Sequence, residues 1–168
     1  DAYREYHYNV LMSADSNAVI YAKGLNDLVP MAVLQQVHGT RKDISLRYYT
    51  GNNITTPNAY LCLSAGSEAI TKYPNAVYTG LLIKINGKEN GDLQKNISER
   101  FRLEYLDNQT YLSSDVATLY KNYLPGFLLL YKNYKNNGDT RAEKLKTQIL
   151  KIANNSEAYY QVNQALEK

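Results

Sequence analysis

The chain contains 168 residues, of which 21% are charged and 44% are hydrophobic, and its formal net charge is +3. This length predicts a single domain with one sizeable core. No run approaches the apolar length of a membrane span, and no basic cluster is interleaved with aromatic residues, so we expect no membrane span in this chain and no nucleic-acid partner.

The rarer residue types predict little chemistry. Cys62 is the only cysteine, which excludes an intrachain disulfide, and its apolar surroundings in the sequence predict a buried, inert thiol. His7 and His38 have no partner at zinc-ligand spacing, so we predict no metal site and no cofactor.

Tyrosine is abundant, with 17 Tyr against 2 Phe and no Trp. Tyrosine can stack on sugar rings, but substitution for Phe at half-buried positions explains the excess more simply.

The first fifty residues predict a helix followed by a β-α-β unit. The predicted elements are a helix at 1–14, a strand at 18–21, a polar turn around Gly24, a helix from about Pro30 to His38, and a second strand at 43–48. We expect the two strands to be parallel and joined by a right-handed crossover.

The middle of the chain predicts a further strand and a further helix. Residues 50–59 form a polar loop, residues 77–85 a strand, and residues 92–102 a helix. Residues 60–71 fit either a helix or a short strand with a turn, and the hydrophobic pattern does not decide between them.

The last third of the chain predicts helices. A helix capped by Ser113 or Ser114 follows the helical period as far as Tyr134, and Pro125 inside it should produce a kink. The turn at 137–139 separates this helix from a second one, and the pair resembles one tetratricopeptide hairpin. A short helix begins near Ser156.

Together these elements predict an α/β fold with a small, mainly parallel sheet that contains a β-α-β unit, followed by a C-terminal tetratricopeptide-like helical hairpin. We expect one domain over residues 1–168, with an α/β part at 1–106 and a helical part at 113–168 packed on it.

The turn after the first predicted strand is the leading candidate for a ligand site, because α/β sheets tend to bind ligands where their strands end. Gly24 permits close approach of the backbone, Asn26 continues the turn, and Asp27 can accept hydrogen bonds from sugar hydroxyls beside a helix N-terminus. The simpler alternative is that Asp27 caps the helix while Asn26 fixes the turn.

Arg41, at the start of the second strand, is a further candidate for ligand binding. With Asp43 it could form a polar rim at the opposite sheet edge, although a surface ion pair explains the two residues equally well. No serine lies in a Gly-x-Ser-x-Gly motif and no pair of carboxylates has a recognisable acid–base spacing, so no catalytic residue is predicted.

Four tyrosines of the helical part are candidates for protein interaction. A peptide-binding scaffold would expose an apolar or Tyr-lined groove beside these residues, which are Tyr120, Tyr123, Tyr131 and Tyr134.

The segment 17–44 also resembles a known family in the order of its motifs. It reads Asn17-Ala18-Val19-Ile20, Gly24-Leu25-Asn26-Asp27-Leu28-Val29-Pro30, Leu34-Gln35-Gln36-Val37-His38-Gly39 and Arg41-Lys42-Asp43-Ile44. These stretches are similar to an Asn-Ala-hydrophobic strand, a Gly-Asp-Asn-Asp-x-x-Pro turn, a Leu-Gln-Glu-Val-x-Gly helix and an Arg-Pro-Asp-Val stretch. That series belongs to the soluble domain of Bacteroidota multi-pass membrane proteins related to protein O-mannosyltransferases.

The likeness covers about residues 5–152. Three later stretches resemble the family's Gly-Leu-Val-Tyr-Arg strand, its Phe-Arg-containing helix end and its Asn-Tyr-Arg-x-x-Phe helix, and they lie at 80–84, 97–106 and 122–127. Leu25 stands where the family has Asp, Gln36 where it has Glu, and Leu124 where it has Arg. The resemblance therefore does not carry over an ionic site built from those three groups.

The resemblance implies a non-catalytic, extracytoplasmic accessory or acceptor-recognition domain that faces the periplasm or the cell envelope. Sugar transfer is expected in the membrane part of that family, so the implied partners are acceptor proteins and a membrane glycosyltransferase portion, and this chain alone would transfer no sugar. Two alternatives are a small sugar- or phosphate-processing α/β enzyme that uses Asp27 and a peptide-binding helical scaffold. A carboxylate or a basic group that converges on Asp27 would favour the enzyme.

Overall fold

A computed structural model describes residues 1–87 and 91–167 of the chain. The chain divides into two compact units, one that runs from Tyr3 to Arg102 and one that begins at Leu103. The division falls close to the predicted change from an α/β part to a helical part.

The first unit is a mixed α/β structure. Its strands are β1 (Val19–Ala22), β2 (Ser45–Tyr48), β3 (Ala59–Cys62), β4 (Val77–Tyr78) and β5 (Leu82–Lys84). Its α-helices are α1 (Ala2–Met12), α2 (Leu25–His38), α3 (Ser67–Ile70) and α4 (Gly91–Lys95). A 3-10 turn, Leu63–Ala65, follows β3, and a π-helical turn, Asn96–Arg100, follows α4.

The five strands form one sheet in the order β2-β1-β3-β5-β4. β1 pairs in parallel with both β2 and β3, and β5 pairs antiparallel with both β3 and β4. Since α2 connects β1 to β2 and contacts both, the predicted parallel β-α-β unit is confirmed.

The burial of each strand depends on its position in the sheet. Every residue of β3 is buried, as expected for a strand with neighbours on both sides and cover on both faces. β1 alternates between buried and half-buried side chains, whereas the edge strand β2 is mostly exposed. Leu61 and Ile83, at paired positions of β3 and β5, lie in a hydrophobic cluster that also contains Tyr49 and Ile54.

The helix after β1 begins earlier than the sequence predicts, at Leu25 instead of near Pro30. Proline lacks the N–H that a helix interior requires, which is why its position suggested a helix start. The first turn instead forms without it, because the backbone N–H groups of Asp27 and Leu28 both donate to the Gly24 carbonyl. Gly39, in the left-handed conformation, ends the helix as predicted.

The predicted single strand at 77–85 is wrong, because β4 and β5 form a hairpin there. Gly80, with φ of +134°, lies in the connection. A Cβ atom at this position would lie 2.5 Å from the Phe101 ring and 2.6 Å from the Ser13 hydroxyl. The chain therefore turns within an apolar run at a point that only glycine fits.

Segment 60–71, for which the sequence allowed either a helix or a short strand with a turn, contains a strand, a turn and a short helix. Its start belongs to β3, the 3-10 turn Leu63–Ala65 follows, and α3 begins at Ser67 after Gly66. A fully buried strand shows no alternation of polar and apolar residues, so periodicity could not identify it.

The second unit is helical. Its elements are α5 (Glu104–Asn108), α6 (Ser114–Tyr120), a 3-10 turn (Lys121–Tyr123), α7 (Leu124–Asn136), α8 (Arg141–Asn154) and α9 (Tyr159–Glu167). Within residues 1–87 and 91–167, no helix combines the length and the apolar character needed to cross a membrane.

Pro125 does not kink a continuous helix, which corrects the prediction for residues 113–134. The chain leaves α6 through the 3-10 turn, and Pro125 lies in the first turn of a separate helix, α7. A missing N–H has no cost at that position, since first-turn N–H groups have no partner within the helix.

α7 and α8 pack against each other as a helical hairpin. Gly138 adopts the left-handed conformation at the turn, and the Asp139 carboxylate accepts a hydrogen bond from the Arg141 N–H at 2.9 Å. The apolar side chains Phe127 and Leu130 of α7 and Leu145 and Ile149 of α8 are buried, and so is Tyr123 in the 3-10 turn before α7.

Candidate functional site

The carboxyl ends of β1 and β3 lie at the same edge of the sheet, because these two strands are parallel neighbours. Asp27 is the third residue of α2, shortly after β1 ends, and Ser64 lies two residues after β3. The Ser64 hydroxyl donates a hydrogen bond of 2.7 Å to Asp27 Oδ2. The predicted ligand turn is therefore joined to the end of a second strand.

His7, on α1, faces the other oxygen of the same carboxylate. Its Nε2 atom lies 3.6 Å from Asp27 Oδ1, which is too long for a hydrogen bond. The Nδ1 atom is 2.7 Å from the Tyr3 carbonyl oxygen. Since a carbonyl can only accept, Nδ1 carries a hydrogen and donates it.

The His7 Nε2 atom has no hydrogen-bond partner within the described part of the chain. His7 is only 1% exposed and Asp27 is 8% exposed, so the imidazole is shielded from bulk water and a small part of Asp27 still reaches it. A protonated His7 would donate from both ring nitrogens and would face Asp27 with a positive charge.

The Asp27 carboxylate lies at a helix N-terminus and has one hydrogen-bond donor within the fold. The residue lies in the first turn of α2, where the helix dipole stabilises an anion. One carboxylate oxygen accepts from Ser64, and the remaining lone pairs can accept hydrogen bonds from hydroxyl groups of a ligand.

Cys62 lies next to this cluster as the last residue of β3 and is buried, as predicted. Burial raises the pKa of the Cys62 thiol well above its ordinary value, the negative charge of Asp27 raises it further, and a hydrogen bond with Ser64 lowers it in part. The thiol is therefore protonated at neutral pH and is not a nucleophile.

Gly24 and Asn26 lie at the same turn as Asp27. Gly24 has an extended backbone, with φ of −138°, and a Cβ atom there would meet nothing closer than 3.9 Å, so its conformation does not require glycine. Asn26 is exposed on the first turn of α2. Asp27 does not cap the helix, as the simpler alternative proposed, because its carboxylate binds Ser64 on another element.

Arg41 lies at the opposite edge of the sheet, before β2, and is not part of the Asp27 turn. Its guanidinium has five N–H donors. Three bonds go to the carbonyl oxygens of Leu11, Ala14 and Asp15 at 2.7–3.0 Å. The other two go to the carboxylate of Asp43. No donor remains for a ligand, so Arg41 fastens the end of α1 to the start of β2.

The Arg41–Asp43 pair is a structural ion pair. The hydrogen bonds from Arg41 lower the pKa of the Asp43 carboxyl to about 2, and a hydrogen bond from the Asn17 N–H acts in the same direction. The predicted alternative of an ion pair thus describes these two residues better than a ligand-binding rim does.

The tyrosines that the sequence suggests for protein interaction do not line an exposed groove. All four are buried, namely Tyr120, Tyr123, Tyr131 and Tyr134. The rings of Tyr120 and Tyr123 make an edge-to-face contact with centroids 5.1 Å apart. A surface-bound peptide would meet little of these side chains.

Sequence inspection did not assign His7 and Ser64 to the site. The two residues and Asp27 are at least 20 positions apart in the chain. Had residues 59–62 been recognised as a strand parallel to β1, the position of Ser64 would have followed from topology. Nothing in the sequence around His7 indicates the direction of its ring.

Among the described residues, no three His, Cys, Asp or Glu side chains are placed to hold one metal ion. A scan against protein-family models and searches of curated proteins and of solved structures found no match to this chain. The assignment of a function therefore depends on the site and on the motifs of segment 17–44.

Proposed function

We propose that this chain is a non-catalytic recognition domain that binds a hydroxyl-bearing acceptor, and that it is similar to the soluble part of membrane proteins related to protein O-mannosyltransferases. The single observation that carries the proposal is the Asp27 carboxylate, held by Ser64 and faced by His7 where β1 and β3 end. This is the part of an α/β sheet where ligands usually bind.

The hydrogen-bond directions favour recognition over covalent chemistry. In a Ser-His-Asp triad the serine hydroxyl donates to the histidine, and the histidine donates to the carboxylate. Here the Ser64 hydroxyl donates directly to Asp27, and the Nδ1 hydrogen of His7 is bound to the Tyr3 carbonyl. The arrangement orients a carboxylate and does not activate a hydroxyl nucleophile.

The chemistry of Asp27 suggests the type of acceptor. A carboxylate with free lone pairs accepts hydrogen bonds from hydroxyl groups, which both sugars and Ser or Thr side chains supply. The motifs of segment 17–44 support the proposal that the domain faces the periplasm or cell envelope as part of a membrane-tethered glycosyltransferase. Coding sequence for membrane-spanning segments directly upstream and in frame would support that tether, and a signal peptide there would contradict it.

Amide NMR titrations would test the Asp27 site. Methyl α-mannoside and a Ser/Thr-rich peptide are the two probes. At least one should shift the signals of residues 24–28 and of Ser64 saturably, and Asp27→Asn should abolish those shifts. Asp115→Asn is the matched control, since Asp115 also lies in the first turn of a helix but is exposed. Shifts that survive Asp27→Asn would contradict the proposed site.

A second candidate function is a small sugar- or phosphate-processing enzyme, and His7 is the observation that favours it. A basic side chain converges on Asp27, and its Nε2 atom is buried without a hydrogen-bond partner among the described residues. Hydrolysis of aryl glycosides or aryl phosphates that disappears in both Asp27→Ala and His7→Gln would establish the enzyme in place of the recognition domain.

We also propose that the α7–α8 hairpin is tetratricopeptide-like. The left-handed Gly138 and the following Asp139 support this proposal. The buried tyrosines give no support to the alternative of a Tyr-lined peptide groove on this hairpin.

A further inference from the structure

A cavity lies at the opposite edge of the sheet from the Asp27 turn, beside the segments that lead into β1 and β2. Its volume is about 340 Å³, within the lower part of the range of small-molecule sites. It is lined by Met12, Ala14, Asp15, Ser16, Arg41 and Arg100, and we call it the Arg100 cavity.

Arg100 is the last residue of the π-helical turn Asn96–Arg100. The turn closes with a hydrogen bond of 2.9 Å from the Phe101 N–H to the Asn96 carbonyl, five residues back. π-Helical turns are rare and occur often at functional sites. Arg100 thus ends this turn and also lines the cavity.

A buried asparagine holds the Arg100 guanidinium in place. Asn96 is 1% exposed, and its Nδ2 donates to the carbonyls of Thr79 at 2.7 Å and Ser13 at 3.3 Å. With both amide hydrogens bound, Oδ1 is left to accept from Arg100 at 2.9 Å. The guanidinium is therefore oriented before any ligand arrives.

Arg100 retains unused hydrogen-bond donors. Within the described residues, its guanidinium makes one hydrogen bond, which leaves four of its five N–H groups available. Arg41 has none left, because its bonds to three backbone carbonyls and to Asp43 use all of its donors. Arg100 supplies donors to the cavity, and Arg41 supplies only positive charge.

The charges around the cavity favour an anion. Arg41 pairs with Asp43 and Lys84 pairs with Asp15, so the charge of Arg100 is not balanced by an ion pair in the described part of the chain. Burial by itself raises the pKa of Asp15, but hydrogen bonds from Lys84 and Tyr60 and the charges of Lys84 and Arg100 hold it below its ordinary value. Asp15 is thus already neutralised by its neighbours.

We propose that the Arg100 cavity binds the oxyanion of a small ligand, a carboxylate or a phosphate group, through a two-pronged hydrogen bond from the Arg100 guanidinium. Planar guanidinium groups recognise both oxyanions in this way, and the charge-assisted bonds are stronger than neutral ones. Ser16 also lines the cavity, and a serine hydroxyl can donate a further hydrogen bond. This proposal does not depend on the function assigned to the Asp27 turn.

NMR titrations of the full chain with inorganic phosphate and, separately, with acetate at constant ionic strength would test the Arg100 cavity. We expect saturable shifts of the Ser16 and Arg41 amides and of the Arg100 Nε–H signal. Arg100→Gln should weaken anion binding by about tenfold or more. Arg100→Lys keeps the positive charge but loses the planar pair of N–H donors, and it should weaken binding by less. Arg47→Gln, which removes an exposed arginine of β2, should leave the affinity unchanged.

The two titrants identify the group that binds, since saturation by phosphate alone indicates a phosphate ligand and saturation by acetate alone a carboxylate. The proposal is overturned if neither anion saturates, or if Arg47→Gln weakens binding as much as Arg100→Gln does. If Arg100→Gln fails to fold, the test uses the Arg100 Nε–H signal of the wild-type chain. A signal that stays unchanged when the anion is bound to saturation would exclude contact between the anion and Arg100 and would overturn the proposal.

Discussion

At the scale of single residues, Arg41 shows how a structural role can look like a binding role in a sequence. An arginine two residues before an aspartate at the start of a strand suggests a polar rim, but the guanidinium binds three backbone carbonyls and a carboxylate within its own unit. Its donors bind the carbonyl oxygen of Leu11, in the last turn of α1, and those of Ala14 and Asp15, which follow the helix.

We expect Arg41→Ala to lower the free energy of unfolding by about 2–4 kcal/mol, because it removes a hydrogen-bond donor from several carbonyl oxygens and the cationic partner of the Asp43 carboxylate. Arg47→Ala, a change to an exposed arginine of β2, should cost less than about 0.5 kcal/mol. Urea denaturation midpoints of the two variants measure the difference. Equal losses would show that Arg41 does not fasten α1 to β2.

The Asp43 carboxyl predicts a specific loss of stability in acid. Its pKa is about 2 in the folded chain, against about 3.9 for an unfolded aspartate. Because the folded state binds the proton less readily, the pair stabilises the fold above pH 4, and this contribution is lost as the pH falls from about 4 to about 2. The stability difference between wild type and Asp43→Asn should therefore be largest at pH 7 and shrink across this window.

Melting temperatures of both proteins at pH 7, 4 and 2 would check the expectation for Asp43. Asp115→Asn serves as the control, since Asp115 is exposed on the first turn of α6. A difference between wild type and Asp43→Asn that stays constant down to pH 2 would contradict a stabilising role for the ionised carboxylate.

At the scale of secondary-structure elements, the hairpin of β4 and β5 depends on Gly80. We expect Gly80→Ala to destabilise the fold by more than about 2 kcal/mol, since the added carbon would overlap Phe101 and Ser13 and the positive φ disfavours alanine. Gly24→Ala is the matched control, because that position has an extended backbone and free space, and it should change stability by less than about 1 kcal/mol.

Chemical denaturation of the Gly80→Ala and Gly24→Ala variants measures both effects. A Gly80→Ala variant as stable as Gly24→Ala would mean that the turn between β4 and β5 can relax without cost.

The core of the α7–α8 hairpin gives a further test at this scale. Phe127 is fully buried, so Phe127→Ala should cost about 3–5 kcal/mol. Leu129, two residues later on the same helix, is 40% exposed, and Leu129→Ala should cost less than about 1 kcal/mol. Denaturation midpoints of the two variants compare them directly, and similar small losses would indicate that the stripe of apolar residues on α7 is not core.

The sequence predicted those elements whose signals are local. Periodicity and turn residues located the β-α-β unit and the α7–α8 turn at Gly138. The β4–β5 hairpin was missed because Gly80 lies inside an apolar run, and its role depends on Phe101, which is distant in the chain. The break before Pro125 was missed because the apolar period continues across it.

The candidate site was predicted only in part for the same reason. Asp27 could be found from its place after a strand, as a general property of α/β sheets. His7 and Ser64 come from other elements, and only the order of strands in the sheet brings Ser64 to the same edge. Arg100 is a comparable case, since a π-helical turn leaves no recognisable pattern in a sequence.

At the scale of the whole chain, we propose that the Asp27 turn recognises a hydroxyl-bearing ligand without transforming it. The two features on which the claim depends are the shared edge of β1 and β3 and the direction of the Ser64 hydrogen bond. The Arg100 cavity lies at the other edge of the same sheet, so the two sites can be tested independently.

The most direct test is one NMR time course in which a mannosylated Ser/Thr peptide is both the titrant and the potential substrate. We expect saturable shifts at residues 24–28 and at Ser64, no such shifts in Asp27→Asn, and ligand signals that stay unchanged for as long as they are followed. Conversion of the ligand signals to those of a product, or binding that is equal in wild type and Asp27→Asn, would contradict the claim.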